Sequence, residues 1–178
     1  TNRIDCPPCC RDGLTNPKIE LLVTEGLKKA DALASQDECV IALTGIWNWK
    51  ARNQFGGITV SSDFDHIALN GRPVLLVPDS DYATNPGVTQ AVKRLAENLR
   101  RRKAIVSVVL LPPGSNGEKT GADDFLAGGH TIGQLKALAV PFEETALDRE
   151  PKHRLRCRQG LRLNRIGAVA ATSPWGWP

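Results

Sequence analysis

The sequence contains no methionine, few aromatic residues and no long hydrophobic run. Aromatic residues make up 5% of the 178 residues, and hydrophobic residues make up 41%. No stretch approaches the roughly 20 consecutive apolar residues that a membrane-spanning helix requires, so no membrane association is expected. A chain without methionine is not a complete reading frame as translated, so we expect a fragment of a longer protein, whose function could depend on other domains.

The cysteines do not form a complete zinc-binding pattern. Five occur, at positions 6, 9, 10, 39 and 157, and the "CPPCC" segment holds a single C-x-x-C. A zinc ribbon needs a second pair at a suitable spacing, which the sequence lacks. We interpret residues 1–18 as a thiol-bearing N-terminal arm, with the last knuckle of a truncated ribbon as the alternative. An odd number of cysteines without a signal-peptide pattern favours a reducing compartment and predicts a cytoplasmic protein.

Acidic residues are absent from Pro151 onward, although the chain as a whole carries a formal net charge of only +4. The tail holds six basic residues, so the rest of the chain has a small acidic excess. This asymmetry is typical of an acidic, metal-binding domain followed by a basic segment that contacts polyanions. The alternative is that the basic segment is only a solvated, disordered end of the chain. We expect residues 146–178 to form a basic, poorly ordered tail.

Four apolar runs have the length and composition of buried strands. They lack a regular alternation of apolar and polar residues, which is typical of strands covered on both faces. They are "IELLVTE" (19–25), "CVIALTG" (39–45), "PVLLVPD" (73–79) and "AIVSVVLLP" (104–112).

Helical patterns separate these strands. "LKKADALAS" follows the first run, and "NPGVTQAVKRLAENL" follows the third with an apolar stripe at helical spacing. Two short helical segments follow the fourth run. The alternation predicts an α/β domain over residues 19–145, in which a central parallel sheet of about four strands has helices on both faces. Residues 47–72 interrupt this rhythm and are interpreted as an irregular insertion.

Acidic residues stand where the predicted strands end. Glu25 ends the first run, Asp79 and Asp81 follow the third, and Asp123 and Asp124 come after the fourth. Ligands of open parallel sheets bind beyond the carboxyl ends of the strands, so these side chains are expected to share one edge. Crowded carboxylates repel one another unless they share a proton or a cation. Oxygen ligands without His or Cys select Mg²⁺ or Mn²⁺, although a helix cap is the alternative for any single aspartate.

The same residues carry a resemblance to the TOPRIM domain of primases, topoisomerases, recombination-mediator proteins and some nucleases. Glu25-Gly26 after the first strand, Gly45 near the end of the second and Asp79-x-Asp81 after the third match that domain's motifs in order. The sequence is more similar to TOPRIM-related domains in plasmid and phage replication proteins, through "NPGVTQAVKRLAENL" and "KTGADDFLAGG". The likeness covers about residues 19–140. It departs from the family pattern in its long insertion.

The resemblance implies a Rossmann-like TOPRIM fold and Mg²⁺- or Mn²⁺-dependent nucleotidyl or phosphoryl transfer on nucleic acid, as in a primase or a nuclease. It implies that Asp79 and Asp81 bind the metal and that Glu25 binds metal or acts as general acid or base. Asp123 or Asp124 would assist a second ion, with a cap on the following short helix as the alternative. The implied partners are single-stranded DNA, nucleotides and a helicase domain or subunit.

Basic residues supply candidates for contact with the nucleic-acid backbone. Lys119 lies in the "GSNGEKTG" segment, which fails as a phosphate-binding P-loop because Glu118 stands where that motif requires glycine. Arg100, Arg101 and Arg102 end the long helix, where they also suit its dipole. Trp47 and Trp49 are expected to pack within the insertion, with base stacking as the alternative.

Two other functions remain open at this stage. One is a non-catalytic nucleic-acid-binding module whose carboxylates keep an ion bound for stability. The other is a haloacid-dehalogenase-like phosphatase, with Asp79 as nucleophile and Asp81 as acid. That phosphatase requires its Asp-x-Asp motif to follow the first strand of the sheet, whereas here a complete strand–helix–strand unit precedes the motif.

Overall fold

A computed structural model describes residues 4–52 and 54–143. The strands are β1 (Ile4–Asp5), β2 (Leu21–Glu25), β3 (Val40–Leu43), β4 (Lys50–Arg52), β5 (Ile58–Val60), β6 (Pro73–Val77), β7 (Ile105–Val109) and β8 (Ala139–Pro141). The helices are α1 (Leu27–Ala34), α2 (Pro86–Arg101), α3 (Ala122–Ala127) and α4 (Ile132–Ala137).

The central sheet has the strand order β1-β3-β2-β6-β7-β8. Its four inner strands are parallel, and each edge strand pairs antiparallel with its neighbour. The expected α/β architecture with a mostly parallel sheet is confirmed, and the four inner strands are the four apolar runs. The edge strands were not predicted, because they are two and three residues long.

Helices cover both faces of this sheet. The connection β2-α1-β3 leads toward one edge and β6-α2-β7 leads toward the other. Because crossovers between parallel strands are right-handed, α1 and α2 lie on opposite faces. Helix α3 packs beside α1, so the loop after β7 returns the chain to the α1 face. The residues of β3 and nearly all those of β2 and β6 are buried, as strands covered on both faces should be.

Helix α2 begins where its sequence predicts. The Asn85 side chain accepts hydrogen bonds from Gly87 N at 3.0 Å and Val88 N at 3.4 Å, and Pro86 occupies the first turn. The apolar stripe is buried against the sheet: Ala91, Val92, Leu95, Ala96 and Leu99.

The insertion contributes no strand to the central sheet. Strands β4 and β5 form a separate two-stranded hairpin, and a short 3₁₀ helix follows at Ser62–His66. Trp49 is buried in the hydrophobic core, as expected for a packing residue, and Ser61 N donates to its carbonyl oxygen at 2.8 Å. Residues 47–72 thus hold a hairpin and a 3₁₀ helix outside the central sheet.

Residues 4–18 are part of the domain and do not form a flexible arm. Strand β1 extends the sheet, and Arg72 anchors the segment that follows it. The guanidinium group of Arg72 is fully buried, with 0% of the residue exposed. It donates hydrogen bonds to Leu14 O at 2.7 Å, to Ile19 O at 2.8 Å and to Gly13 O at 2.9 Å.

The tail expected at residues 146–178 lies outside the described residues. Within the described part of the chain, no helix combines the length and the apolarity needed to span a bilayer.

Candidate functional site

The most buried carboxylate at the carboxyl edge of the sheet belongs to Asp79. Strand β6 ends at Val77, and the chain continues extended through Asp79, which is 4% exposed. Lys29, in the first turn of α1, places its Nζ 3.0 Å from Asp79 Oδ1 and 3.1 Å from Oδ2. A buried carboxylate needs such a partner, because desolvation otherwise disfavours its charge.

Lys119 joins the two aspartates of the Asp-x-Asp motif. Its Nζ lies 2.9 Å from Asp79 Oδ2 and 3.3 Å from Asp81 Oδ2. Burial alone would lower the pKa of Lys119, but the hydrogen bond and charge of Asp79 and the charge of Asp81 outweigh it and raise the pKa. The sequence predicted Lys119 as a contact to nucleic acid, whereas in the structure its ammonium binds the carboxylates.

The loop that carries Lys119 is fixed to the motif by its backbone. Ser80 N donates to Thr120 O at 2.9 Å, and Thr120 N donates to Ser80 Oγ at 2.9 Å. These reciprocal bonds hold Lys119 in register with Asp79 and Asp81.

Asp123 joins this cluster from the start of α3. A Cβ placed on Gly121 would stand 2.7 Å from Asp123 Oδ1 and 3.2 Å from Asp79 Oδ1, and it would overlap Lys29. The two carboxylates therefore border the same small space beside Gly121, and a side chain at that position would displace the end of Lys29. The Lys28 ammonium approaches the other oxygen of Asp123 at 3.8 Å.

Asp124 has a different role from its neighbour. Its Oδ2 accepts a hydrogen bond from Gly121 N at 3.1 Å, so it caps the N-terminus of α3. The helix-cap alternative thus describes Asp124, while Asp123 faces the cluster.

Glu25 lies at the same edge of the sheet, but its side chain is on the other face. Thr24 is paired with Val77 in the register of β2 and β6, so Glu25 aligns with Pro78 and Gly26 with Asp79. Side chains alternate between faces along a strand. Glu25 accordingly lines a narrow cleft under α2, with Val92 and Leu95, while Asp79 faces α1.

The cluster has the chemistry of a magnesium site without the full geometry of one. In residues 4–52 and 54–143, no three Asp, Glu, His or Cys side chains are arranged so that they could hold a metal ion. Asp81 Oδ1 and Asp123 Oδ1 are nevertheless buried and accept no hydrogen bond from the described residues. A set of carboxylate oxygens with spare lone pairs fits Mg²⁺ or Mn²⁺, and in this structure the lysines supply the compensating charge.

The arginines predicted to contact nucleic acid lie far from this cluster. Helix α2 starts near the carboxyl edge and has 16 residues, so its far end is about 24 Å away. There Arg102 pairs with Asp65 at 2.8 Å, and Arg101 Nη2 lies 3.9 Å from a Glu97 oxygen. Arg100, Arg101 and Arg102 cannot contact a substrate held at Asp79 unless that substrate spans the helix.

Lys28 and Lys29 were missed by the sequence reasoning, which treated "LKKADALAS" only as a helix. Their position could have been predicted from the sequence. The helix starts directly after a strand that ends in Glu25-Gly26, so its first turn must lie at the carboxyl edge of the sheet. Lysines in that turn are within reach of the aspartates.

Four cysteines of the described residues have free thiols: Cys6, Cys9 and Cys10 in the N-terminal segment, and Cys39 directly before β3. Cys10 Sγ donates to Glu38 O at 3.3 Å, and burial raises its pKa to about 11. The buried thiols of Cys10 and Cys39 pack as small apolar groups, whereas Cys9 is exposed.

Residues 12–131 match the family model described as "Domain of unknown function (DUF3854)", which is more than half of the chain. The sequence is also similar to an uncharacterized protein of Picosynechococcus sp. (strain ATCC 27264 / PCC 7002 / PR-6), with 30% identity over 105 residues. That similarity covers 54% of this chain and 10% of the relative. The matched part of the chain thus spans about a tenth of the length of that relative.

Proposed function

The chain belongs to the DUF3854 family, and we propose that it transfers nucleotidyl or phosphoryl groups on nucleic acid with the help of Mg²⁺ or Mn²⁺. We propose further that its fold is of the TOPRIM type and that it serves in replication of a mobile element, as a primase-like module. Single-stranded DNA and nucleotides are the proposed substrates, and a helicase domain or subunit is the proposed partner.

The proposal is supported by one observation above all. Three aspartates, Asp79, Asp81 and Asp123, gather at the carboxyl edge of a parallel sheet, where open α/β sheets bind their ligands. Three lysines neutralise them in this structure. Packing alone does not account for a buried carboxylate such as Asp79 at this edge, since it must lose its hydration.

Each residue has a proposed part in the reaction. Asp79, Asp81 and Asp123 would hold the metal after it displaces the Lys119 ammonium, which two of these aspartates bind in this structure. Asp124 would keep the N-terminus of α3 in place. The ion would supply charge stabilisation for the phosphoryl oxygens and help to orient the attacking group. Lys29 stays against Asp79, where it fixes the carboxylate. Glu25, on the α2 face, would act as general acid or base on the side of the substrate that enters from that face.

The arrangement gives less support to the phosphatase. The Asp-x-Asp motif follows β6, and the complete unit β2-α1-β3 comes before it in the chain. A haloacid-dehalogenase-like mechanism would also leave Glu25 without a role.

A nucleic-acid-binding module without catalysis is the second candidate. It is favoured by the lysines, because Lys29 and Lys119 already satisfy the carboxylates of the motif without any ion. In such a protein the cluster would stabilise the domain and the substrate would bind elsewhere.

The two candidates are separated by an assay for metal-dependent product. The full chain is incubated with a single-stranded template, the four nucleotides and increasing Mg²⁺ or Mn²⁺, and extended or cleaved strands are resolved on a gel. The transferase is expected to form product only with metal, and Glu25→Gln is expected to reduce its formation. If the chain binds the template in EDTA but forms no product at any metal concentration, phosphoryl transfer is contradicted. The binding module is then the function that agrees with the result.

Removing the ammonium of Lys119 should strengthen metal binding. Lys119→Met deletes a positive charge about 3 Å from two carboxylates, which competes directly with a divalent cation. We expect the apparent dissociation constant for Mn²⁺ to fall by about tenfold in calorimetric titration, a change in binding free energy of ~1.4 kcal/mol. Lys136→Met, which removes a lysine paired with Glu20 and Glu38, is the matched control. Equal constants for the wild type and Lys119→Met would contradict competition at this site.

A further inference from the structure

A second cluster of charged side chains lies on the insertion, away from the carboxylates. Lys50 Nζ stands 3.3 Å from the ring centroid of Trp47 and 5.5 Å from that of Trp49. The guanidinium carbon of Arg94, on α2, lies 5.8 Å from the same Trp47 ring. Two cations therefore share one aromatic side chain.

These two cations have no acidic partner within the described part of the chain. The sequence contains no Asp or Glu between Thr44 and Ser62, and neither Lys50 nor Arg94 forms an ion pair with a described carboxylate. Loss of hydration, and then the charge of Arg94, lower the pKa of Lys50. Like charges brought together in this way are destabilising, and an anionic ligand would relieve the repulsion.

The hairpin next to these cations exposes an apolar surface. Phe55, in the turn between β4 and β5, is 85% exposed, and Ile58 on β5 is 69% exposed. Arg52, at the end of β4, is also exposed and adds a third positive charge. Large apolar side chains beside unpaired cations are what single-stranded nucleic acid binds, through stacking of its bases and attraction of its phosphates.

The cluster is close to the edge of the sheet that carries the carboxylates. Ile46, the residue before Trp47, lines the same cleft as Glu25 under α2. A strand bound along the hairpin and α2 would therefore reach the carboxyl edge on the face where Glu25 lies.

We propose that Lys50, Arg52, Phe55, Ile58 and Arg94 form a binding surface for single-stranded nucleic acid, with Trp47 holding the cations in place. The cations contact successive phosphates, and Phe55 stacks on a base. This surface works without metal and without the aspartates. The surface would bind the nucleic-acid substrate of the proposed transferase. It would bind nucleic acid in the same way in a module without catalysis.

The test measures anisotropy of a fluorescein-labelled oligothymidylate in EDTA, so that failure of metal-dependent chemistry cannot affect it. The variant Lys50→Gln/Arg94→Gln is compared with Arg100→Gln/Arg101→Gln, which removes the same charge from the far end of α2. We expect about tenfold weaker binding for the first pair and less than about twofold for the second. The slope of log affinity against log salt should fall in magnitude by ~1.4 for the first pair, since each single-strand phosphate contact contributes about 0.7.

Two single variants at exposed positions guard against a folding defect. Arg52→Gln should weaken binding and reduce the salt dependence, whereas Phe55→Ser should weaken it by about threefold or more without changing the salt slope, because stacking is not electrostatic. Equal losses for the two double variants, or no loss for Lys50→Gln/Arg94→Gln and Arg52→Gln, would overturn the proposal. Tighter binding to duplex DNA than to the single strand would also overturn it.

Discussion

Replacing Arg72 with methionine should lower the free energy of unfolding by about 3–5 kcal/mol, which would make it one of the most destabilising single changes in the domain. The substitution keeps an unbranched side chain of similar length in the interior. It removes the guanidinium hydrogen bonds to the carbonyl groups of Gly13, Leu14 and Ile19. Asn16 N and Ala68 N still donate to the first two, so Ile19 O is the carbonyl that loses its donor. A buried carbonyl left without a donor costs much more than an average hydrogen bond contributes.

Urea denaturation followed by circular dichroism measures this loss. Arg72→Lys is the informative companion, because one ammonium cannot reach carbonyl groups that the guanidinium fork reaches from three nitrogens. We expect it to regain only a small part of the stability. Arg100→Met, on the exposed end of α2, should change stability by less than about 0.5 kcal/mol. A small loss for Arg72→Met would mean that the N-terminal segment is held by β1 alone.

Replacing Asp79 and Asp81 together with asparagine should reduce metal-dependent product formation by about 100-fold or more. Asparagine has the shape of aspartate but no negative charge, so it cannot retain a divalent ion against water. An ion of this kind stabilises transition-state charge by several kcal/mol, and each 1.36 kcal/mol corresponds to a factor of ten in rate. The double change also leaves Lys29 and Lys119 without an anionic partner.

The matched control is Asp124→Asn, one residue from Asp123 in the chain. Asparagine keeps a side-chain oxygen that can accept the hydrogen bond from Gly121 N and loses only the charge, so this variant should retain most of the activity. Oligothymidylate binding in EDTA should be similar for the wild type and both variants, which shows that the fold is intact. Equal activity losses in Asp124→Asn and the double variant would mean that α3 placement, and not the metal, limits the reaction.

The inner strands could be predicted because burial on both faces leaves an uninterrupted apolar run in the sequence. The caps and stripe of α2 were equally accessible, since Asn85-Pro86 and the helical spacing depend on neighbours in the chain. Strand β1 was not accessible: its two residues gain their structure only from pairing with β3. Its partner is nearly forty residues away.

The site could be predicted as a place but not as a geometry. In a parallel sheet the carboxyl ends of the strands lie at one edge. This rule predicted that Asp79, Asp81 and Asp123 lie near one another, and the structure places them together. Whether Glu25 shares their face depends on the register between β2 and β6, which the sequence does not encode locally. The partners of the carboxylates, Lys29 and Lys119, come from a helix and a loop that only the folded chain brings together.

The limits of the family match have a practical meaning for anyone who shortens this chain. Residues 12–131 leave out β1 and β8, the two antiparallel strands that border the parallel core. A fragment trimmed to the matched region would uncover the hydrogen-bonding groups along both margins, and exposed margins of this kind recruit other chains. The smallest well-behaved unit therefore runs from before Ile4 to beyond Pro141.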